Sequence, residues 1–412
     1  MTPVSPFLTR SALALAAGIA VATAFVAVAP GAYFDTMEWR LADLPGTGGS
    51  VHGAVTPLRI VTDLLMAGFF FLLGKELWET LTIERSGLSG RQGLAPAIAA
   101  LGGILGAALV WIVLTALIET AEEATGAPGW TVPLGSDVVL AYAFGRRLFG
   151  SGHPALQVLL FVTISGDIAA LVLSGITLPG GGGLGFGWLA LTATLPCLGW
   201  ALLTRPALTP GASERAHARA YAPAPWVALG LLTWGTVAAS GLPPAMGFLP
   251  LLPAMPPASR SFGLFAQAEV FLTDPANRMA QVLRPATVAI LFLFGLTHGA
   301  LDPAAVAPTT WIALGALWIG KPLGLAVGLL VAVRLLRLPG PRGLEIPDLI
   351  AIAGLASIGF TAPALVMETA LPGGAMQEAA RLGLAASLLA GPAMLLVFRP
   401  PRRRGALPGP PP

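Results

Sequence analysis

The sequence predicts an all-α polytopic membrane protein with about 12 transmembrane helices. Three observations carry that reading. Of 412 residues, 55% are hydrophobic and only 10% charged, with a mean hydropathy of +0.78, whereas soluble domains carry about 25% charged residues. Apolar windows near the ~20 residues needed to span a bilayer recur along the whole chain. Gly (51) and Pro (38) are frequent, as broken and closely packed membrane helices allow.

The first window, 11–30, follows one basic residue, Arg10, and reads SALALAAGIAVATAFVAVAP. It exceeds the roughly 7–15 residues of a signal-peptide core, so it is expected to be the first spanning helix. Further helices are expected near 57–80, 94–118, 131–145, 154–177 and 185–204. The next two, 224–240 and 243–256, are split by Ser240-Gly241-Leu242-Pro243-Pro244. Windows at 284–300, 308–334, 346–368 and 378–398 complete the series. The polar connections are longest at 31–56, 205–223 and 257–283, and none is long enough to fold separately. The expected organisation is one transmembrane domain over 1–399, then a basic, Pro-rich tail at 400–412. A small hairpin is one expectation for 31–56, although Pro45 and the glycines count against it. The GGGG run at 180–183 reads as a flexible loop.

Loop charges set the expected orientation. Alternate connections carry Arg85 and Arg91, Arg146 and Arg147, then Arg205, Arg215 and Arg219. Arg260, Arg278 and Arg284, then Arg334, Arg337 and Arg342, and finally Arg399 with the Arg402–Arg404 tail continue that side. The opposite connections hold Glu119, Glu122, Glu123 and Asp302, with Arg40 and Arg59 as exceptions. Both termini are therefore expected in the cytoplasm, with 31–56 outside. The single cysteine, Cys197, can form no internal disulfide. Nothing in the chain calls for a cofactor or a nucleic-acid partner.

Three ionisable side chains, Asp137, Asp167 and Lys321, lie inside apolar windows. Each costs roughly 2.5–3.5 kcal/mol near the bilayer centre, and the three together cost on the order of 8–10 kcal/mol. Such groups persist when they pair, line a wet cavity, or carry protons and ions. A buried structural salt bridge is the plain alternative. Asp137 follows Pro133 and Gly135, and Ser357-Ile-Gly-Phe-Thr-Ala-Pro363 interrupts another window in a similar way. Two Gly/Pro-interrupted helices in the two halves of a transporter point to a midplane site. Unwinding exposes helix ends, positive at N-termini and negative at C-termini. An aspartate beside the first kind and a lysine beside the second would offset those charges. Asp167 can carry a proton, or give oxygen to a hard monovalent cation with help from hydroxyls such as Thr163 or Ser136. Pro322 loosens the helix beside Lys321 and frees a carbonyl.

At these residues the chain resembles the NhaA-type bacterial sodium/proton antiporters. The matching stretches are DLLMAGFFFLLGKEL (63–77), GRQGLAPAIAALGG (90–103), SDVVLAYA (136–143) and GDIAALV (166–172). DPANRMAQVLRP (274–285), GKPLG (320–324) and SIGFTAP (357–363) follow in the same order. The resemblance implies inverted repeats with two broken, crossing helices in a bacterial inner membrane. It implies that Asp137 stabilises the crossing, that Asp167 is the shared Na⁺ or Li⁺ and proton site, and that Lys321 balances the opposite helix ends. Gly359 and Thr361 belong to the second broken helix. Glu76 is implied at a cytoplasmic funnel and Asp63 at the outer end of the second helix, although helix-end charges are cheap and both also read as structural. A homodimer through 31–56 is implied as well.

The departures bear on mechanism. The family usually has Asp-Asp where this chain has Gly166-Asp167. The following Ile-Ala-Ala matches the family's Leu-Gly-Ala, so Asp167 aligns with the second aspartate and the first is lost. A register with Ile168 replacing the second fits less well. The histidine that follows Ser-Gly-Val in the family is Pro243 here. Ala280, Gln281 and Arg284 replace a glutamate and two histidines linked in the family to pH response. The expected function is exchange of Na⁺ or Li⁺ for H⁺ by alternating access. A divergent member with altered stoichiometry or lost coupling stays open. An intramembrane aspartyl protease fits poorly, because Ile164-Ser165-Gly166-Asp167 lacks the Gly-x-Gly-Asp signature and no Tyr-Asp partner occurs.

Overall fold

The computed structural model describes residues 6–44, 53–83, 88, 90–118, 127–178, 183–257 and 272–398. In chain order these form α1 (Pro6–Val28), α2 (Pro30–Met37), β1 (Ala42–Leu44), β2 (Gly53–Val55) and α3 (Pro57–Thr82). Next come α4 (Arg91–Ile118), a 3₁₀ segment at Ala127–Leu134, α5 (Val138–Phe149) and α6 (Pro154–Thr177). α7 (Phe186–Leu208), α8 (Glu214–Tyr221), α9 (Pro223–Ser240) and α10 (Pro275–His298) follow. The chain continues with α11 (Pro308–Leu335), α12 (Ile346–Ala356), α13 (Thr361–Ala370) and α14 (Ala375–Val397). Among the described residues, 8 helices are long and apolar enough to cross a membrane, or 10 if each bent pair is one span. The bent pairs are α8–α9, at 47°, and α12–α13, at 45°.

Prolines open several helices, at Pro57, Pro154, Pro223, Pro275 and Pro308. There the missing amide costs nothing and the fixed φ suits the first turn. α10 starts at 275, earlier than the expected 284, because Asp274 caps it by accepting the Asn277 amide at 3.1 Å. Two expected helices differ. Residues 243–256 form only 3₁₀ turns, at Pro244–Met246 and Leu249–Ala254. Pro243, Pro244, Pro250 and Pro253 remove the donors that an α-helix needs. The 131–145 window is a 3₁₀ segment, an extended stretch at 135–137 and then α5. Pro133 and Gly135 account for that break. The 31–56 segment does pair, with Ala42 opposite Val55 and Leu44 opposite Gly53 in antiparallel register. Its turn, Glu119, Glu122, Glu123, Gly180–Gly182 and the tail at 400–412 lie outside the described residues.

One seam fixes the scaffold around the site. α4 and α11 cross on glycines, Gly102 and Gly106 against Gly320, Gly324 and Gly328. A Cβ on Gly324 would sit 2.9 Å from the Gly106 Cα, and one on Gly328 would sit 2.6 Å from the Ile98 carbonyl. Small residues at four-residue spacing let two membrane helices touch backbone to backbone. Lys321 lies between Gly320 and Gly324, so the seam holds the lysine's backbone against α4.

Candidate ion-binding site

The two interrupted helices meet in the interior. The Asp137 amide donates to the Ile358 carbonyl at 2.7 Å, joining the extended stretch 135–137 to the unwound stretch 357–360. The Thr361 hydroxyl donates to the Ser136 carbonyl at 3.4 Å, and the Ser136 hydroxyl donates to the Ala356 carbonyl at 2.9 Å. The crossing thus satisfies, between the two stretches, backbone groups that neither helix can satisfy alone.

Charges are placed against the helix ends. Asp137 caps α5, its Oδ1 accepting the Leu140 amide at 2.9 Å, and its carboxylate lies against the amide and hydroxyl of Thr361 at the start of α13. Two helix N-termini therefore converge on one aspartate, the sign that their partial positive charge favours. Lys321 sits on the opposite kind of end. Its Nζ donates to the Gly135 carbonyl and, at 2.7 Å, to the Ser136 hydroxyl. A π turn at Ala316–Gly320 precedes it, with the Lys321 amide reaching back to the Ala316 carbonyl. Such turns reposition a side chain within an otherwise regular helix.

Asp167, fully buried on α6, faces the same stretch from the other side. Its Oδ1 accepts the Ser136 amide at 2.5 Å, while its Oδ2 is buried without a hydrogen bond. Asp137 Oδ2 is likewise buried without a hydrogen bond of standard geometry. Lys321 and Asp167 both grip residues 135–136 rather than each other. Thr163, one turn before Asp167 on α6, donates its hydroxyl to the Leu159 and Leu160 carbonyls, at 2.8 and 3.1 Å. Its lone pairs remain as the only group it can offer an ion.

Glycines set how closely these pieces approach. A Cβ on Gly135 would sit 3.2 Å from Asp167 Oδ1 and 2.9 Å from the Ala362 Cβ. A Cβ on Gly166 would sit 2.9 Å from the Leu134 carbonyl and 4.0 Å from Lys321 Nζ. The residue beside Asp167 is therefore packed under the broken segment and aimed at the lysine. Gly359 packs on Leu317, and its amide donates to the Ser387 hydroxyl at 2.9 Å.

Asp137, Ser136, Gly166, Asp167, Lys321 and Thr361 thus come together, with Gly359 at the edge. Glu76 and Asp63 do not. They lie 13 residues apart on α3, about 20 Å at 1.5 Å per residue. Glu76 shares its buried end with Lys75 and Glu79, which pair at 2.9 Å, and Asn277 donates to Glu79 at 3.2 Å. Asp63 lines a cavity of about 250 Å³ with Arg59, Thr62, Leu171 and Glu368. The larger cavity, about 790 Å³, is an apolar cleft beside Pro322, Leu325 and Ala353, and none of Asp137, Asp167 and Lys321 lines it. Sequence reasoning missed Ser387 and the Lys75–Glu79 pair. Lys75 and Lys321 being the only lysines was the one available signal for the second.

Comparison with known proteins gives the family of the chain. The sequence model of the family described as Na⁺/H⁺ antiporter 1 matches residues 8–398. A relative from Jannaschia sp. (strain CCS1), named Na(+)/H(+) antiporter NhaA, is 32% identical over 404 residues, covering 95% of this chain and 96% of its own length. The Na(+)/H(+) antiporter NhaA 2 of Pelobacter propionicus is 28% identical, covering 91% of this chain and 92% of its own length. The Na(+)/H(+) antiporter NhaA of Desulfitobacterium hafniense (strain DSM 10664 / DCB-2) is 27% identical, with 93% and 92% covered. With a family match over nearly the whole chain and a crossing of two broken helices at its centre, this multi-pass membrane protein belongs to the Na⁺/H⁺ antiporter 1 family.

Proposed function

We propose that the protein exchanges Na⁺ or Li⁺ for H⁺ across a bacterial inner membrane by alternating access, serving sodium and pH homeostasis. The observation that carries this reading is Asp167. A fully buried carboxylate with one oxygen held by an amide and the other unpartnered has to be neutralised by a proton or a cation. Both ligands use the same oxygen, so each excludes the other, and exclusion is the coupling. Carboxylate oxygen is also the donor chemistry that a hard cation takes.

Asp137 and Lys321 act on the helix ends. They keep the crossing electrically balanced while the site faces first one side and then the other. The arginine asymmetry supports cytoplasmic termini, with Glu76 toward the inner end of α3 and Asp63 toward the outer end. Gly166 favours a one-carboxylate site and hence one proton per cation. The 31–56 segment is the surface through which a homodimer would form.

Asp167→Asn tests the reading. In proteoliposomes under an imposed Na⁺ gradient, wild type should move protons and the variant should move none, although it inserts and folds. Exchange at the wild-type rate in Asp167→Asn would remove Asp167 from the mechanism.

A further inference from the structure

The cavity beside Asp63 has a second ionisable cluster behind its wall. His298, at the end of α10, is fully buried, and its Nε2 lies 3.1 Å from Glu368 Oε1 on α13. The same nitrogen lies 3.4 Å from the Thr62 hydroxyl on α3, and Nδ1 lies 2.7 Å from the Thr297 hydroxyl. Thr62 and Glu368 both line the cavity, so His298 stands one side chain behind it. Leu171 and Ser174 line the cavity too, and they follow Asp167 on α6 by one and two turns. The cavity therefore reaches within about 6 Å of rise of the aspartate's own turn.

Two structural links run from this cluster to the crossing. The His298 ring stacks on Phe294 at 4.2 Å, and Phe294 meets Phe360 edge-on at 6.4 Å. Phe360 is the residue at which α13 begins. Glu368 lies near the other end of that same short helix. α13 is thus tied to α10 at both ends, once through apolar rings and once through an ion pair whose strength depends on one proton.

The charged and titratable groups around His298, Glu368 and Asp63 come from four elements. α13 gives Glu368, α3 gives Asp63 and Arg59, α14 gives Arg381, and α2 gives Tyr33. Tyr33 lies outside the spans. Burial pushes its phenol up to about 12, so it stays neutral and donates to the Leu296 and Thr297 carbonyls at 2.8 and 3.0 Å. Arg381 donates to the Ala300 carbonyl at 3.4 Å.

We propose that His298 and Glu368 form a second proton site, outside the transport site, in which one bound proton latches α13 to α10 and its loss releases α13 beside the outer cavity. The proton comes from cavity water and returns to it. With imidazolium at 298, the Glu368 carboxylate is held by a charge-assisted hydrogen bond. With neutral imidazole, the carboxylate loses the opposite charge beside it, and the contact weakens. The half-helix bearing Thr361 can then shift against Asp137. The proposal rests on the proposed exchange activity for its orientation and its transport readout, but not for its chemistry.

Two measurements test it. Apparent Na⁺ affinity is measured in proteoliposomes as the pH on the Asp63 side is varied over about 5–8, the range in which imidazole titrates. Wild type should change several-fold across that range, and His298→Gln and Glu368→Gln should both flatten the change while exchange continues. Both variants keeping the wild-type pH curve would overturn the proposal. The second measurement needs neither transport nor those variants. With His52, His153 and His217 replaced by glutamine, ¹⁵N NMR of the remaining imidazole reads the charge of His298 directly. A change of charge within the same range, moved when Glu368 is replaced, supports the site. An imidazole of constant charge overturns it. Loss of exchange in wild type at every pH would instead defeat the proposed function, and the NMR titration would still decide the latch.

Discussion

At residue scale, the site is a set of short groups arranged around a break in one helix. Asp137 should tolerate a neutral replacement better than Asp167. Asparagine caps a helix about as well as aspartate, so Asp137→Asn keeps the Leu140 bond and loses only the charge facing α13. It should weaken apparent Na⁺ affinity several-fold or lower thermal stability by about 1 kcal/mol, while leaving exchange measurable in proteoliposomes. Complete loss of exchange at unchanged stability would make Asp137 a direct ligand instead. Gly166 is a different case. A Cβ there would meet the Leu134 carbonyl at 2.9 Å, so Gly166→Asp should cost about 1–3 kcal/mol of stability, read as a lowered melting temperature. The new carboxylate would point toward Lys321, and protein that still folds should shift toward voltage-dependent exchange.

At element scale, the unwound stretches are held by polar groups from other helices. The Ser387 hydroxyl accepts the Gly359 amide from 28 residues away. Ser387→Ala would leave that amide buried and unpaired, at a cost of about 1–3 kcal/mol. The expected outcome is a lower melting temperature with a weaker effect on cation affinity, since the charges are untouched. The α4–α11 seam makes a stronger test of packing. Gly324→Val would force two touching backbones apart, and purified protein should melt at lower temperature or fail to insert. Much of this level was legible in the chain. Eight of the expected windows form uninterrupted spans, and Pro133, Gly135 and the 357–363 interruption mark both broken helices. Ser387 was not legible, because a serine in an apolar window shows nothing of what it caps across the fold. The 243–256 window failed for a reason that was visible, since five prolines cannot be reconciled with an α-helix of that length. The glycine seam had a signal too, a four-residue spacing in both helices, but its meaning depends on which helices meet.

At the scale of the whole molecule, the fold brings two carboxylates, one lysine and four helix ends to a single interior crossing. The sequence marked Asp137, Asp167 and Lys321 because charge is rare in apolar windows. It put a lysine beside a helix C-terminal end, and the structure sets Lys321 on the Gly135 carbonyl and the Ser136 hydroxyl rather than on Asp167. On the proposed mechanism Asp167 is the one acid left of the family's pair, and it releases one proton when Na⁺ arrives. Exchange should therefore be one for one, unless Lys321 also gives up its proton. The reversal potential of Na⁺/H⁺ exchange in proteoliposomes, measured at several imposed voltages, decides the matter. The account predicts a reversal set by the two ion gradients alone and indifferent to voltage. A reversal that moves with voltage in wild type, and still moves in Lys321→Gln, would contradict it.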